Sequence, residues 1–130
     1  MLYAILCYND EDAVWSRPKA EDDACMAALH TVERKLTAQG RLGPVARLMP
    51  TTAATTLRKG SELLVLDGPF AETKEQLLGF YIVDCEGLDQ AVDAAKDLAR
   101  AWPDTGSYEI RPLAVLRPTP DNFAPKGVAP

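Results

Sequence analysis

The stretch Leu2-Tyr3-Ala4-Ile5-Leu6-Cys7-Tyr8 is a continuous apolar run that stops abruptly at Asn9-Asp10-Glu11-Asp12. A run this short, apolar on both alternating faces, reads as a β-strand buried on both sides. A polar loop punctuated by Trp15 and Pro18 follows it. From Lys19 to Gln39 the period turns helical, with Cys25, Ala28, Leu29, Val32 and Leu36 on one stripe. Gly40 then stands where a left-handed C-terminal cap belongs. Arg41 to Met49 reads as a second strand, which Gly43-Pro44 makes irregular or confines to an edge.

Further along, Thr55–Lys59 and Glu62–Leu66 flank Gly60-Ser61 as a hairpin. Glycine at the first central position suits a type II′ turn, which sets Lys59 opposite Glu62. The second arm runs into the breaker Asp67-Gly68-Pro69-Phe70, and a short polar helical turn is expected from Pro69 to Gln76. Another buried strand, Gly79–Asp84, precedes the clearest helix. There Leu88, Ala91, Val92, Ala95, Leu98 and Trp102 share one face, with Gly87 or Asp89 as the start cap and Pro103 beyond the end. A last strand is expected over Tyr108–Leu116. Residues 117–130 hold four prolines in fourteen positions and read as a mobile tail outside the core.

The order β-α-β, hairpin, β-α-β predicts an α+β fold over residues 1–116. It is a ferredoxin-like βαββαβ sandwich with an inserted β-hairpin, its mostly antiparallel sheet carrying two helices on one face. Several strands, including Leu63–Leu66, are apolar on both faces, so the uncovered side needs a partner. A large exposed apolar patch is rare in a monomer, and a homodimer packed sheet to sheet is expected.

Composition narrows the function classes. The chain has 130 residues, 47% of them hydrophobic, and 14 basic against 19 acidic residues leave a net charge of −5. An acidic domain lacks the basic surplus on which general nucleic-acid binding and anionic-lipid docking rest. The opening apolar run is too short for a membrane span and has no preceding positive charge, so a cytoplasmic protein is expected. The 3 cysteines lack C-x-x-C spacing and His30 is the only histidine, which argues against a disulfide framework or a multi-histidine metal site. No metal and no cofactor are expected. P-loop, G-x-G-x-x-G and G-x-S-x-G motifs do not occur.

Asp67 is the first candidate for chemistry. At the end of four apolar residues its carboxyl could be desolvated, with the raised pKa a general acid or base at neutral pH requires. An Asp before Gly-Pro can equally be an Asx turn or a helix N-cap, which favours the ionised form, and both readings stand. Thr73–Gln76 has capping-box spacing. Trp15 is either a lid over a pocket or a plug over the end of the core. Tyr3, Tyr8 and Tyr81 are packing residues or hydrogen-bond donors to a ligand. His30 sits one step off the apolar stripe, as a boundary residue paired with Glu33 or Arg34 or as a catalytic base. Cys7, Cys25 and Cys85 read as inert core thiols.

The run Asp67-Gly68-Pro69-Phe70-Ala71-Glu72-Thr73-Lys74-Glu75-Gln76-Leu77, followed by Gly79-Phe80-Tyr81, resembles the signature of the DGPF branch of the YCII-related family. The opening strand with Trp15, the helix ending at Gly40, and Glu109-Ile110-Arg111-Pro112-Leu113 resemble the same family. The resemblance implies a dimeric α/β barrel, a superfamily that includes lyases, isomerases and cofactor-free oxygenases acting on small molecules. In the YCII branch a helix histidine pairs with an acidic residue. Counting back from Gly40, that histidine falls at Leu29 here, and His30 is rotated from it by ~100°. The dyad is therefore not matched.

Two functions follow. In one, the domain is a cofactor-free enzyme with Asp67 as acid/base and Arg58 or Arg111 on an anionic group. Tyr81 or Trp15 then contacts the ring, and Gly68, Pro69 and Phe70 shape the pocket. In the other it is a non-catalytic ligand-sensing or interaction module. For this branch, often encoded beside alternative sigma factors, the resemblance implies a possible transcription-factor partner.

Overall fold

The opening apolar run becomes β1 (Leu2–Asn9), and its two-sided burial places it inside a sheet. The computed structural model describes residues 1–118. After β1 come α1 (Glu11–Trp15), α2 (Lys19–Ala38), β2 (Leu42–Arg47) and a 3-10 turn (Thr51–Ala53). The chain continues through β3 (Thr55–Arg58), β4 (Leu64–Asp67), β5 (Gln76–Asp84), α3 (Leu88–Ala101) and β6 (Ser107–Pro112). The main sheet has the order β2-β5-β1-β6 with every neighbour antiparallel. This is the ferredoxin-like arrangement the element order predicts. Its edges, β2 and β6, stay open, and this chain alone closes no barrel.

Strand alternation divides the core into two layers. Tyr3, Ile5, Tyr81 and Val83 point to the helices, where they meet Leu29 and Leu36 of α2 and Ala91, Ala94, Ala95 and Leu98 of α3. The small alanines let α3 lie close to the sheet. Leu2, Ala4 and Ile82 point to the other face and pack with Leu6, Phe80, Leu113 and Leu116. The strand expected through Leu116 stops at Pro112, whose ring leaves no N–H for the ladder. The Leu113 N–H instead donates to the Leu2 carbonyl at 2.9 Å, which brings the next residues back over this second face. From residue 119 on, the expected tail lies outside the described residues.

Gly40 closes α2 as its position predicts. With φ of +69° it lets the Gly40 N–H reach the Thr37 carbonyl and the Arg41 N–H reach the Leu36 carbonyl, both at 2.9 Å. That is a Schellman cap. The Arg41 carbonyl then accepts from Asp84 N–H at 2.7 Å, so the helix end is tied to β5.

Four local expectations are corrected. The segment holding Trp15 is a helix, α1, because Asp10 accepts from Asp12 N–H as an N-cap and starts a turn there. The hairpin pairs Thr55 with Asp67 through Arg58 with Leu64, one residue away from the register that would oppose Lys59 and Glu62. Gly60 lacks the positive φ a type II′ turn needs. The register is held at the other end: Gly68 N–H donates to Ala54 O at 2.8 Å and Thr56 Oγ1 donates to Gly68 O at 2.7 Å. Between Pro69 and Gln76 there is no helical turn. Thr73 and Gln76 instead bond each other's neighbourhood from the side, with Gln76 Nε2 donating to the Thr73 carbonyl. Finally, Leu63–Leu66 is not buried on both faces. β3 and β4 form a separate two-stranded sheet whose apolar residues are exposed, Val65 to 70%.

Candidate functional site

A cavity lies between the helix-facing side of the sheet and helices α2 and α3. Its volume is about 400 Å³, within the ~300–1,000 Å³ range of small-molecule sites. Tyr81 of β5 and Cys7 and Tyr108 of β1 and β6 line the sheet side; Cys7 and Tyr108 are direct cross-strand partners. Met26, Leu29 and Glu33 of α2 form one wall by helical spacing, and Val92, Ala95 and Ala99 of α3 form the other. At Gly79, opposite Arg47 of β2, an added Cβ would collide with the Ala46 carbonyl oxygen, so the β2–β5 approach here requires glycine.

The mouth is built from cations stacked on indoles. Arg47 lies 4.8 Å from the Trp15 ring centre and 5.9 Å from that of Trp102, and Arg17 lies 4.4 Å from Trp102. The two arginines are held differently. Arg17 has a 7% exposed side chain, pairs with Asp104 and donates to Cys25 Sγ at 3.6 Å. Arg47 is 42% exposed, with Asp22 at 4.0 Å and Met26 Sδ at 3.8 Å as its polar neighbours.

Trp15 is set in place from several directions. Val14 beside it is buried in the core. Glu11 N–H donates to Gln76 Oε1 at 3.0 Å, and the Glu11 carboxylate accepts from both the N–H and the hydroxyl of Thr51. The short helix is thus pinned to the start of β5 and to the 3-10 turn. Half-exposed Trp15 lines the cavity opening.

Burial sets the chemistry of the floor. It pushes the Cys7 thiol up to about 12, which removes the thiolate a nucleophile would need at neutral pH. Burial, and then the neighbouring Cys7, push the Tyr108 phenol up to about 12. Tyr81 is raised too, by burial first and then by Cys7, Tyr108 and Glu33, with Arg47 acting the other way. Both phenols therefore stay protonated donors across neutral pH. Among the described residues neither hydroxyl has a hydrogen-bond partner, and no unpartnered polar side-chain atom is sealed from solvent. The two donors are open to whatever enters the cavity.

Of the residues singled out from sequence, Trp15 and Tyr81 meet in this cavity, and Tyr8 lines it as well. Asp67, Arg58, Gly68, Pro69 and Phe70 do not line it; they belong to the hairpin and the loop after it. Asp67 is exposed and makes no side-chain hydrogen bond among the described residues. Arg111 pairs with Glu109 and sits in register with Ala4, on the opposite sheet face. His30 is exposed on α2 with Nε2 3.9 Å from Glu33 Oε2, while Leu29 faces the cavity. Four lining residues have no site role in the sequence reading: Arg47, and Trp102, Glu33 and Tyr108, which it places only in a helix stripe, beside His30 and in the last strand. The spacing Leu29–Glu33 was a usable signal; the strand register that aligns Arg47 with Gly79 was not. Among the described residues no three His, Cys, Asp or Glu side chains group as a metal site requires, and no helix there is long and apolar enough to cross a membrane.

Fold and cavity together define an α+β domain of ferredoxin-like topology with a pocket between its sheet and helices. The chain belongs to the YCII-related family, whose domain matches residues 1–117. It is 60% identical over 119 residues to an uncharacterised protein of Rhizobium meliloti (strain 1021), covering 91% of this chain and 96% of that protein.

Proposed function

We propose that the protein is a small-molecule-binding domain whose ligand occupies the cavity between the sheet and helices α2 and α3. The observation that carries this reading is the pair of unpartnered phenol hydroxyls, Tyr81 and Tyr108, opening onto a largely apolar space. A pair of unpartnered donors at a concave apolar site is what a ligand's polar atom would satisfy. Binding without acid/base catalysis is favoured over the enzyme reading, since Asp67 stands on the hairpin and Leu29 occupies the α2 position that faces the floor. The test uses the neutral aromatics phenol and indole as probes in an NMR titration of the ¹⁵N-labelled protein. Shifts confined to the amides around Tyr81, Tyr108 and Met26, reduced by Ala99→Phe at the cavity edge, support the reading. No shifts, or shifts on the hairpin alone, overturn it.

A second reading concerns assembly, and the hairpin favours it. Leu57, Leu64, Val65 and Phe70 are exposed, and among the described residues both edges of the two-stranded sheet are unpaired. An isolated hairpin is marginal in water and an open edge invites strand addition. A second copy of the chain, docking its own hairpin or sheet, is the occupant this surface fits. Sedimentation equilibrium should give a dimer that Val65→Lys dissociates. A monomer in the wild type would turn attention to a different protein, such as the transcription-factor partner the resemblance implies.

A further inference from the structure

The cavity mouth carries a cation that the fold leaves only loosely engaged. Arg17 and Arg47 both lie against Trp102, yet their surroundings differ in kind. Arg17 is buried and bound to Asp104, with Glu21 at 3.9 Å and Cys25 beside it. That is a guanidinium whose donors are used to hold the α1–α2 corner to the end of α3. Arg47 lies over two indole rings, at 4.8 and 5.9 Å, and Asp22 reaches it only at 4.0 Å, the outer limit of an ion pair. A cation–π contact consumes no guanidinium N–H donor, and among the described residues those of Arg47 meet only Met26 Sδ at 3.8 Å and Asp22 at 4.0 Å. Lys96 of α3, exposed, adds a second positive charge at the lining.

We propose that the cavity ligand is a small aromatic carboxylate, its ring lying over Tyr81 and Tyr108 and its carboxylate paired with Arg47 between Trp15 and Trp102. This rests on the cavity being the ligand site. An apolar-walled space of about 400 Å³ suits an aromatic body, and a guanidinium fork held against indoles suits a planar carboxylate bound through two oxygens. A phosphate ester fits less well. It would bring nearly two negative charges within reach of Asp22 at the mouth and Glu33 on the cavity wall, and both carboxylates disfavour the second charge. The chain's net charge of −5 also supplies no long-range attraction for anions, so selectivity must come from this local contact.

Both tryptophans of the chain touch Arg47, which makes intrinsic fluorescence a local reporter. The experiment compares benzoate, benzyl alcohol and phenyl phosphate by fluorescence and calorimetry on the wild type, Arg47→Lys and Arg47→Gln. Benzoate is expected to bind at least about tenfold tighter than benzyl alcohol in the wild type. That advantage should shrink in Arg47→Lys, which keeps the charge but loses the fork, and vanish in Arg47→Gln. Equal binding of benzoate and benzyl alcohol, or an advantage that survives Arg47→Gln, overturns the anion assignment while the cavity reading stands. Tighter binding of phenyl phosphate than benzoate overturns the carboxylate class. Binding of none of the three overturns both. The wild-type comparison and Arg47→Lys keep the test decisive if Arg47→Gln fails to fold.

Discussion

The guanidinium carbon of Arg47, on an edge strand, lies 4.8 Å from the ring centre of Trp15, on a short helix far from it in sequence. This contact joins α1 to β2 across the cavity mouth. Removing the ring by Trp15→Ala should cost about 1–2 kcal/mol, the sum of a half-exposed cation–π contact and partial apolar burial. Urea unfolding of Trp15→Ala, Arg47→Met and the double variant should give a coupling of about 0.5–1 kcal/mol between the two sites. Additive losses would show that the stack contributes nothing.

Asp67→Asn should be nearly silent. The carboxylate is exposed and unpartnered among the described residues, so stability is expected to change by less than about 0.5 kcal/mol. Thr56→Val nearby should cost about 1 kcal/mol, because it takes the hydroxyl donor from the Gly68 carbonyl. Thermal melts of both variants check the contrast. A larger loss for Asp67→Asn would restore a structural role for the carboxyl.

Alkaline pH should loosen the cavity floor. The Cys7 thiol rises from 9.0 to about 12 and the Tyr108 phenol from 10.0 to about 12, in each case mainly through burial. Between those limits the unfolded chain has released protons that the folded chain still holds. Stability is therefore fully present below pH 9 and falls as pH climbs through about 12. Urea midpoints measured across that range should decline in the wild type and decline less in Cys7→Ala/Tyr108→Phe. Identical slopes would mean these groups are not held neutral by burial.

Gly40→Ala tests the cap at the end of α2. The residue adopts φ of +69°, where a Cβ costs about 1–2 kcal/mol in the backbone, and no atom lies within 4 Å of the added carbon. Chemical denaturation should show that loss, with Gly40→Asn affected less. Equal stability of Gly40→Ala would mean the Schellman turn can be remade with an ordinary residue.

The periodicities made most of the fold readable. Leu29 and Leu36 face the core on the stripe marked by helical spacing, and Leu98 does so on α3. β1 is buried on both sides as its unbroken apolar run requires. Leu88 departs from this, half-exposed at the first turn of α3 although it shares the stripe. The hairpin was readable as a hairpin but not in its register. Gly60 is compatible with a tight turn, and only the bonds from Gly68 to Ala54 and from Thr56 to Gly68 select the other pairing.

The site divides along the same line. A run of local sequence is enough to place strands, helices and the Gly40 cap, since these depend on neighbours within a few positions. Family membership was likewise legible from the Asp67–Leu77 motif, and the match over residues 1–117 agrees with it. The cavity was not legible, because its parts come from β1, α1, α2, β2, β5, α3 and β6 and converge only through sheet register and helix packing. A sequence motif drew attention to Asp67, which the hairpin carries away from the cavity. The tertiary structure drew Arg47 between Trp15 and Trp102, a juxtaposition set by long-range contacts that no local pattern encodes.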